Sequence, residues 1–66
     1  MRVTLNGEDV EFEASTTVED VIAALGIERR GVAVSLDREI VPRSRWAATP
    51  LAEGARIEVL AAAAGG

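Results

Sequence analysis

The sequence ends in two glycines, Gly65 and Gly66, directly after four alanines at 61–64. A free carboxylate on such a diglycine end is a chemical handle, and we expect it to be the reactive group. Almost nothing else can react, because the sequence has no histidine, cysteine, tyrosine or lysine. The usual general bases, the Schiff-base amine, the thiolate and the imidazole metal ligands are therefore missing.

Carboxylates, arginines and hydroxyls remain, and they do not make a self-contained active site. A serine without a histidine or lysine to deprotonate it is a poor nucleophile, which excludes a hydrolytic triad. Paired carboxylates could run acid/base chemistry only inside a cleft. A chain of 66 residues hides only about 60% of its unfolded surface and has no room for one. The function should therefore lie on the surface or at the chain ends.

The charge of the sequence is unevenly distributed. Its net charge of −4 argues against nucleic-acid binding, which needs clustered positive charge. Residues 1–28 carry seven acidic side chains and one arginine, whereas residues 29–45 carry five arginines and two acidic side chains. These faces either keep a small domain solvated or steer it toward a partner. With no cysteine, no leader and no membrane-length apolar run, we expect a cytoplasmic protein without a membrane partner.

The first half of the sequence predicts a hairpin followed by a helix. Alternating apolar residues on both sides of Asn6-Gly7 indicate a type I′ turn, in which both turn residues need positive φ. Apolar residues then recur at i, i+3, i+4 and i+7, which predicts a helix over 18–25 with Val21, Ile22 and Leu25 buried. Its expected caps are Thr16 with Glu19 or Thr17 with Asp20 at the start, and Gly26 at the end.

The second half predicts short strands. Residues 32–36 form an apolar run nearly continuous enough for a central strand that is buried on both faces. A polar turn at 37–39 leads to a stub of strand at 40–41. Ser44 is expected to cap a single helical turn, and alternation over 56–60 predicts the last strand.

These elements predict an α+β fold. A hairpin followed by a helix packed across it, with the last strand pairing back inside, is the β-grasp plan, and the helical stripe must cover the apolar face of the sheet. We expect one domain over residues 1–60. Residues 61–66 should form a flexible tail, because small side chains offer little area to bury.

Several stretches together carry a resemblance to a known family: Gly31-Val32-Ala33-Val34, Ile40-Val41-Pro42-Arg43-Ser44-Arg45-Trp46, Leu51-Ala52-Glu53-Gly54, Arg56-Ile57-Glu58-Val59 and Gly65-Gly66. Over essentially its whole length the chain resembles the ThiS family, the sulfur-carrier proteins of thiamine biosynthesis. The stretch 40–46 is the specific part, because diglycine also ends ubiquitin-like proteins and the small subunit of molybdopterin synthase. The chain departs from the family at Asp37, often asparagine, and at Ala55, often acidic.

The resemblance implies a ubiquitin-like β-grasp with a mixed four- to five-stranded sheet, acting as a carrier and not as an enzyme. A ThiF-type adenylating enzyme, similar to ubiquitin-activating enzymes, would use ATP to convert the Gly66 carboxylate to an acyl-adenylate. A cysteine desulfurase would feed the sulfur that replaces AMP, and the thiocarboxylate would serve a ThiG-type thiazole synthase. The carrier itself would bind no cofactor and no metal.

The resemblance also implies which residues act. Gly66 would carry the acyl group, with Gly65 beside it, and glycine has no Cβ to obstruct a channel or an attacking atom. The residues expected to contact partners are Ala63, Ala64, Gly65, Gly66, Arg43 and Trp46. Trp46 could instead be a core anchor, and Arg43 a solvated surface residue. We also expect an apolar patch on the outer sheet, ringed by charge, to help bind the adenylating enzyme.

Other functions stay open at this point. The chain could be a molybdopterin-type carrier, although the stretch from Pro42 to Trp46 matches the thiamine type better. It could be a β-grasp module that binds a partner by its sheet and never uses its tail; removal of Gly66 would leave such a module unaffected. Conjugation to proteins is a further possibility, and the absence of lysine forbids isopeptide chains built on this protein.

Overall fold

The computed structural model describes residues 1–61. The elements in chain order are β1 (Arg2–Leu5), β2 (Glu8–Glu11), α1 (Val18–Leu25), β3 (Val32–Leu36), β4 (Glu39–Ile40), a 3-10 helix (Arg43–Ala48) and β5 (Arg56–Ala61). The five strands form one sheet in the order β2-β1-β5-β3-β4. The last strand, β5, lies at the centre, parallel to β1 and antiparallel to β3. The predicted α+β fold, with a mixed sheet and one main helix, is confirmed.

Two tight turns of the same kind connect β1 to β2 and β3 to β4, which are antiparallel pairs. Asn6 and Gly7 have φ of 50° and 87°, so the positive φ predicted for the β1–β2 turn is confirmed. Asp37 and Arg38, with φ of 50° and 73°, repeat this conformation between β3 and β4. Such turns match the right-handed twist of the flanking strands, and Asn and Asp tolerate positive φ better than most residues.

The helix has the bounds that its local signals predict. Of the two possible caps, the second forms: the Asp20 amide donates to Thr17 Oγ1 at 3.2 Å, and the Thr17 amide donates to Asp20 Oδ2 at 3.0 Å. Gly26 ends the helix in the left-handed conformation, with φ of 70°, and its amide donates to the Ala23 carbonyl. Reciprocal capping of this kind satisfies amides that have no partner within the helix.

The core lies between α1 and one face of the sheet. Among residues 1–61 it contains nine buried side chains: Val3, Val18, Val21, Ile22, Val34, Trp46, Leu51, Ala55 and Ile57. The burial predicted for Val21 and Ile22 is confirmed, but the prediction for Leu25 is wrong, because it is 41% exposed. Leu25 lies at the end of α1, two turns beyond Val18, where the core of this small domain no longer reaches. Its neighbour Ile27 is exposed as well.

Two further predictions about the second half are wrong. Strand β3 is buried on one face only, with Val34 buried and Ala33 exposed, because the helical elements of residues 1–61 cover only one side of the sheet. The 3-10 helix has Pro42 at its N-cap and no capping side-chain hydrogen bond, so Ser44 does not cap it. This helix packs against α1 and carries Trp46 into the core.

The end of β5 differs from the predicted domain boundary by one residue. Ala61, assigned above to the tail, is the last residue of β5 and pairs with Val32 of β3. The rest of the predicted tail, residues 62–66, lies outside the described residues, and its flexibility stays a prediction. Within residues 1–61, no helix has both the length and the apolar character that crossing a membrane requires.

Candidate functional site

The predicted attachment site can be located only by the strand that leads to it. Ala63, Ala64, Gly65 and Gly66 lie outside the described residues. They follow β5, whose last residues, 59–61, pair with β3 through Val34, Ala33 and Val32. Because β5 is the central strand, the chain leaves the middle of the sheet and not its edge.

The pairing of β5 with its two neighbouring strands ends at different residues. On the β3 side, pairing continues to Ala61. On the β1 side, strand pairing stops where Leu5 lies opposite Ile57. The side chain of Asn6 then binds the next available backbone groups of β5: its Nδ2 donates to the Val59 carbonyl at 3.2 Å, and its Oδ1 accepts from the Val59 amide at 2.8 Å.

An apolar patch lies on the outer face of the sheet, opposite α1. We define the outer patch as Ala33, Ile40 and Leu60. Leu60 is 73% exposed and Ile40 is 71% exposed, which are the two highest values among the exposed large apolar side chains of residues 1–61. Pairing of Ala33 with Leu60, and of Ser35 with Ile40, places these residues on the face away from the core. A shallow groove of about 460 Å³ runs between them and reaches Asn6.

Charged side chains lie beside the outer patch. Glu58 lines the same groove, and the Ser35 hydroxyl donates to it at 3.4 Å. Farther across the outer face, Arg2 and Glu11 form an ion pair at 3.8 Å on the hairpin. The predicted apolar patch is present on the outer sheet with Glu58 in its groove, and the predicted ring of charge around it stays a prediction. Its contact with a partner stays a prediction.

The two predicted partner contacts outside the tail occupy different environments. Trp46 is 1% exposed, and its indole Nε1 donates to the Val41 carbonyl at 2.9 Å. The prediction that Trp46 contacts a partner is therefore wrong, because a buried ring has no surface to offer. Arg43 is exposed and lines an open cleft of about 410 Å³ with Arg29, Arg30 and Glu28.

The basic cleft brings together arginines from two parts of the chain. Arg29 and Arg30 follow α1, while Arg43 begins the 3-10 helix. Arg29 also forms an ion pair with Glu19 of α1, which ties the loop to the helix. Arg45 lines a different cleft, beside Ile40 and Pro42. We call the β1–β2 hairpin, whose strand β2 spans Glu8–Glu11, the acidic hairpin. The charge separation expected from the sequence lies between this hairpin and the basic cleft.

The sequence contains a signal for one part of the site that the residue-by-residue prediction missed. In β5, Leu60 is in phase with Arg56 and Glu58, the polar side of an alternating strand. A large apolar residue on the solvent-facing side of an alternating strand indicates a surface that contacts something other than water. Asn6 was predicted only as a turn residue, and nothing local indicates that its side chain binds a strand 53 positions away.

The fold places the chain in a class of proteins. A mixed five-stranded sheet with a central last strand, and one helix packed across a single face, is a ubiquitin-like β-grasp. A model of the ThiS family matches residues 3–66. The chain therefore belongs to the ThiS family.

Two relatives match this chain over its full length and their own. The sulfur carrier protein ThiS of Escherichia coli is 29% identical over 66 residues, with complete coverage of both chains. The crystal structure of the thiamine biosynthesis protein ThiS from Geobacter metallireducens superposes with a TM-score of 0.83, at 29% identity, again covering both chains completely. The predicted β-grasp fold is confirmed by this match.

A third relative is longer. A thiazole synthase from Paramagnetospirillum magneticum is 41% identical over 66 residues. The match covers all of this chain but 20% of that protein. This chain therefore spans about a fifth of the length of that relative.

Proposed function

We propose that this protein is the sulfur carrier of thiazole formation in thiamine biosynthesis, and that its reactive group is the Gly66 carboxylate. The observation that carries the proposal is the ThiS family match over residues 3–66. The full-length similarity to the E. coli sulfur carrier supports it. In this role the protein is a substrate of other enzymes in the cytoplasm and catalyses nothing itself.

The proposed chemistry starts from the low reactivity of a carboxylate. A ThiF-type adenylating enzyme transfers AMP from ATP to a Gly66 carboxylate oxygen and releases pyrophosphate. The terminal sulfur of a persulfide supplied through a cysteine desulfurase then forms a bond to the acyl carbon as AMP leaves, and a thiol reductant cleaves the remaining S–S bond to release the thiocarboxylate. Glycine suits both steps, because it has no Cβ beside the carbon under attack. ATP belongs to the enzyme, so the carrier needs no cofactor of its own.

The outer patch is the proposed docking surface for the adenylating enzyme. Gly66 is five positions after Ala61, and a fully extended chain of five residues spans at most about 18 Å. The enzyme must therefore bind near the end of β5 if the carboxylate is to reach its active site. Leu60 and Ile40 expose apolar side chains at that place. Contiguous exposed apolar surface of this kind is typical of interaction sites.

Thiazole synthase is the proposed acceptor of the sulfur. Support comes from the P. magneticum thiazole synthase, in which a region 41% identical to this chain belongs to the same polypeptide. Joining two proteins in one chain raises their effective concentration, which suits a donor that must find one acceptor repeatedly. The ThiF-type enzyme and the cysteine desulfurase are proposed from the family resemblance.

Arg43 stays a proposed partner contact. It is exposed and lies beside Arg30, so the two guanidinium groups can together meet carboxylates on a partner, while Arg29 pairs with Glu19. The acidic hairpin on β2 is the corresponding surface for a basic rim. Complementary charges of this kind mainly accelerate association and set orientation.

Intact mass measurement tests the proposal directly. The purified protein is incubated with a ThiF-type enzyme, ATP, a cysteine desulfurase, cysteine and a thiol reductant that releases the sulfur from its persulfide, and the expected product has one oxygen replaced by sulfur. A variant without Gly66 should give neither adenylate nor thiocarboxylate. The deletion withdraws the carboxylate by about 3.3–3.6 Å, and a displacement of about 1 Å can cost on the order of 100-fold in rate. Normal product from the deletion variant would refute the assignment.

The control for this experiment is the stability of the deletion variant. The buried core residues all lie before residue 62 and Gly66 has no side chain to bury, so we expect the melting temperature to be unchanged. Gly66→Ala keeps the chain length and adds only a methyl group beside the acyl carbon. It should lower the rate of adenylation while the deletion abolishes it.

One alternative is supported by the outer patch itself. A binding module that uses only its sheet would also expose Ile40 and Leu60. The same experiment separates the two functions, because such a module would bind its partner equally well with or without Gly66. Binding that survives the deletion while no thiocarboxylate ever forms would favour the module.

A further inference from the structure

We propose that Asn6 is a positioning residue that holds the end of β5 in line so that the chain beyond it is delivered correctly to the partner enzymes. The inference rests on the proposed function. Its structural part concerns only residues 1–61, where Asn6 binds Val59, two residues before the end of β5.

The argument begins with the hydrogen bonds between β1 and β5. The Thr4 amide donates to the Ala55 carbonyl at 2.8 Å, and the Asn6 amide donates to the Ile57 carbonyl at 3.0 Å. The next bond in this series would reach the Val59 carbonyl. The backbone of β1 cannot make it, because the chain turns away at Gly7, where φ is 87°.

The side chain of Asn6 takes the place of the missing peptide group. A carboxamide has the same donor and acceptor as a backbone amide. Its Nδ2 binds the Val59 carbonyl and its Oδ1 binds the Val59 amide. Both backbone groups of Val59 point to the β1 side, so without Asn6 they would have no partner strand. Asn6 thus extends the support of β5 by one step beyond the end of β1.

The residue type at position 6 satisfies two demands at once. The φ of 50° is tolerated by asparagine, aspartate and glycine better than by other residues. Only asparagine among these three also supplies both a donor and an acceptor. A structural requirement for the turn alone would be met equally well by glycine.

The location of Val59 gives this contact its functional meaning. Leu60 follows directly and presents its side chain to the outer patch, and the chain continues from Ala61 toward Gly66. When the β1 side is released, β5 is held near its end by β3 alone. The orientation of Leu60 and the starting direction of the following residues are then less fixed. Reaction rates are sensitive to such displacements.

Asp37 provides a matched control in the same molecule. It is also the first residue of a tight turn, also has φ of 50°, and also binds β5 through its side chain. Its Oδ1 accepts from the Arg56 amide at 2.9 Å. Arg56 is the first residue of β5, at the opposite end from Leu60. Loss of this contact should weaken the strand without redirecting the chain that leaves it.

The experiment compares Asn6→Gly with Asp37→Gly. Glycine keeps the positive φ and removes only the side-chain contacts, so both variants should fold and show similar decreases in melting temperature. Amide hydrogen exchange should become faster at Val59 in the first variant and at Arg56 in the second. Thiocarboxylate formation is then measured with the ThiF-type enzyme, well below both melting temperatures. We expect kcat to fall roughly 10- to 100-fold for Asn6→Gly only.

The division between kcat and KM separates positioning from direct contact. Asn6 borders the groove of the outer patch, so a lost contact with the enzyme would raise KM instead. Asn6→Asp keeps the oxygen that accepts from the Val59 amide. It should restore slow amide hydrogen exchange at Val59 and part of the rate of thiocarboxylate formation. Equal rates of thiocarboxylate formation for Asn6→Gly and Asp37→Gly would overturn this inference and leave the proposed function standing. A change in KM without a change in kcat for Asn6→Gly would do the same. A wild-type chain that forms no thiocarboxylate would refute the proposed function, and this inference with it.

Discussion

Truncation of Leu60 gives the most direct test of the outer patch. The side chain is 73% exposed, so Leu60→Ala should leave the folded protein as stable as before. Burying a leucine side chain completely is worth about 1.5–3 kcal/mol. The exposed 73% of Leu60 can therefore contribute about 1–2 kcal/mol when a partner covers it. Since 1.4 kcal/mol corresponds to about tenfold in affinity, the adenylating enzyme should bind the variant roughly 5- to 30-fold more weakly.

The assay measures the dependence of adenylation rate on carrier concentration. Because docking is weakened and the chemistry is unchanged, KM should rise while kcat stays near its normal value. Ile40→Ala should behave similarly, because Ile40 is 71% exposed in the same groove. The two effects need not multiply, since residues that share a contact surface are often coupled.

Leu25→Ala is the matched control for this prediction. Leu25 is also an exposed apolar residue, at 41%, but it lies at the end of α1 on the other side of the sheet. Its truncation should leave KM unchanged. If Leu25→Ala raised KM as much as Leu60→Ala, or if Leu60→Ala had no effect, the outer patch would not be the docking surface.

Two further predictions concern the core and the charges. Ile22→Ala should lower the free energy of unfolding by about 2–5 kcal/mol, since Ile22 is 1% exposed. In denaturant unfolding, this loss should be most of the stability of so small a domain. A loss smaller than that caused by Leu25→Ala would contradict the assigned core. Association with the adenylating enzyme should slow as salt is raised, because the acidic hairpin and the basic cleft can both steer it. Stopped-flow on-rates that do not change between low and high salt would exclude electrostatic steering and would not affect the proposed chemistry at Gly66.

Local signals in the sequence were sufficient where neighbouring residues decide the structure. The Thr17–Asp20 cap, the apolar stripe and Gly26 lie within ten residues of one another, and the helix has the predicted bounds. Asn6-Gly7 likewise defines its own turn. Departures from the family pattern can also be explained at this level. Asp37 binds the Arg56 amide through an oxygen that asparagine would offer equally well.

Long-range packing decided what the sequence could not. The apolar run at 32–36 suggested a central strand, yet the centre belongs to β5, whose Arg56 and Glu58 alternate with core residues. Pairing across the whole chain sets that order, and an uncovered outer face allows a central strand to be polar on one side. Ala55, where the family is often acidic, is buried in the core. An acidic side chain there would need a partner or a different local arrangement.

The central position of β5 has a consequence for how the protein comes into existence. Its contacts with β1 and with the following Asn6 join residues as far as 53 positions apart, so most of the chain must be present before the sheet can close. Until β5 inserts, β1 and β3 leave unpaired edges open to other chains. Insertion of β5 is therefore the step that ends the period of aggregation risk. The same step creates the paired surface on which Leu60 is displayed, so an adenylating enzyme that binds there would ignore nascent and misfolded copies and spend ATP only on carriers whose folding is complete.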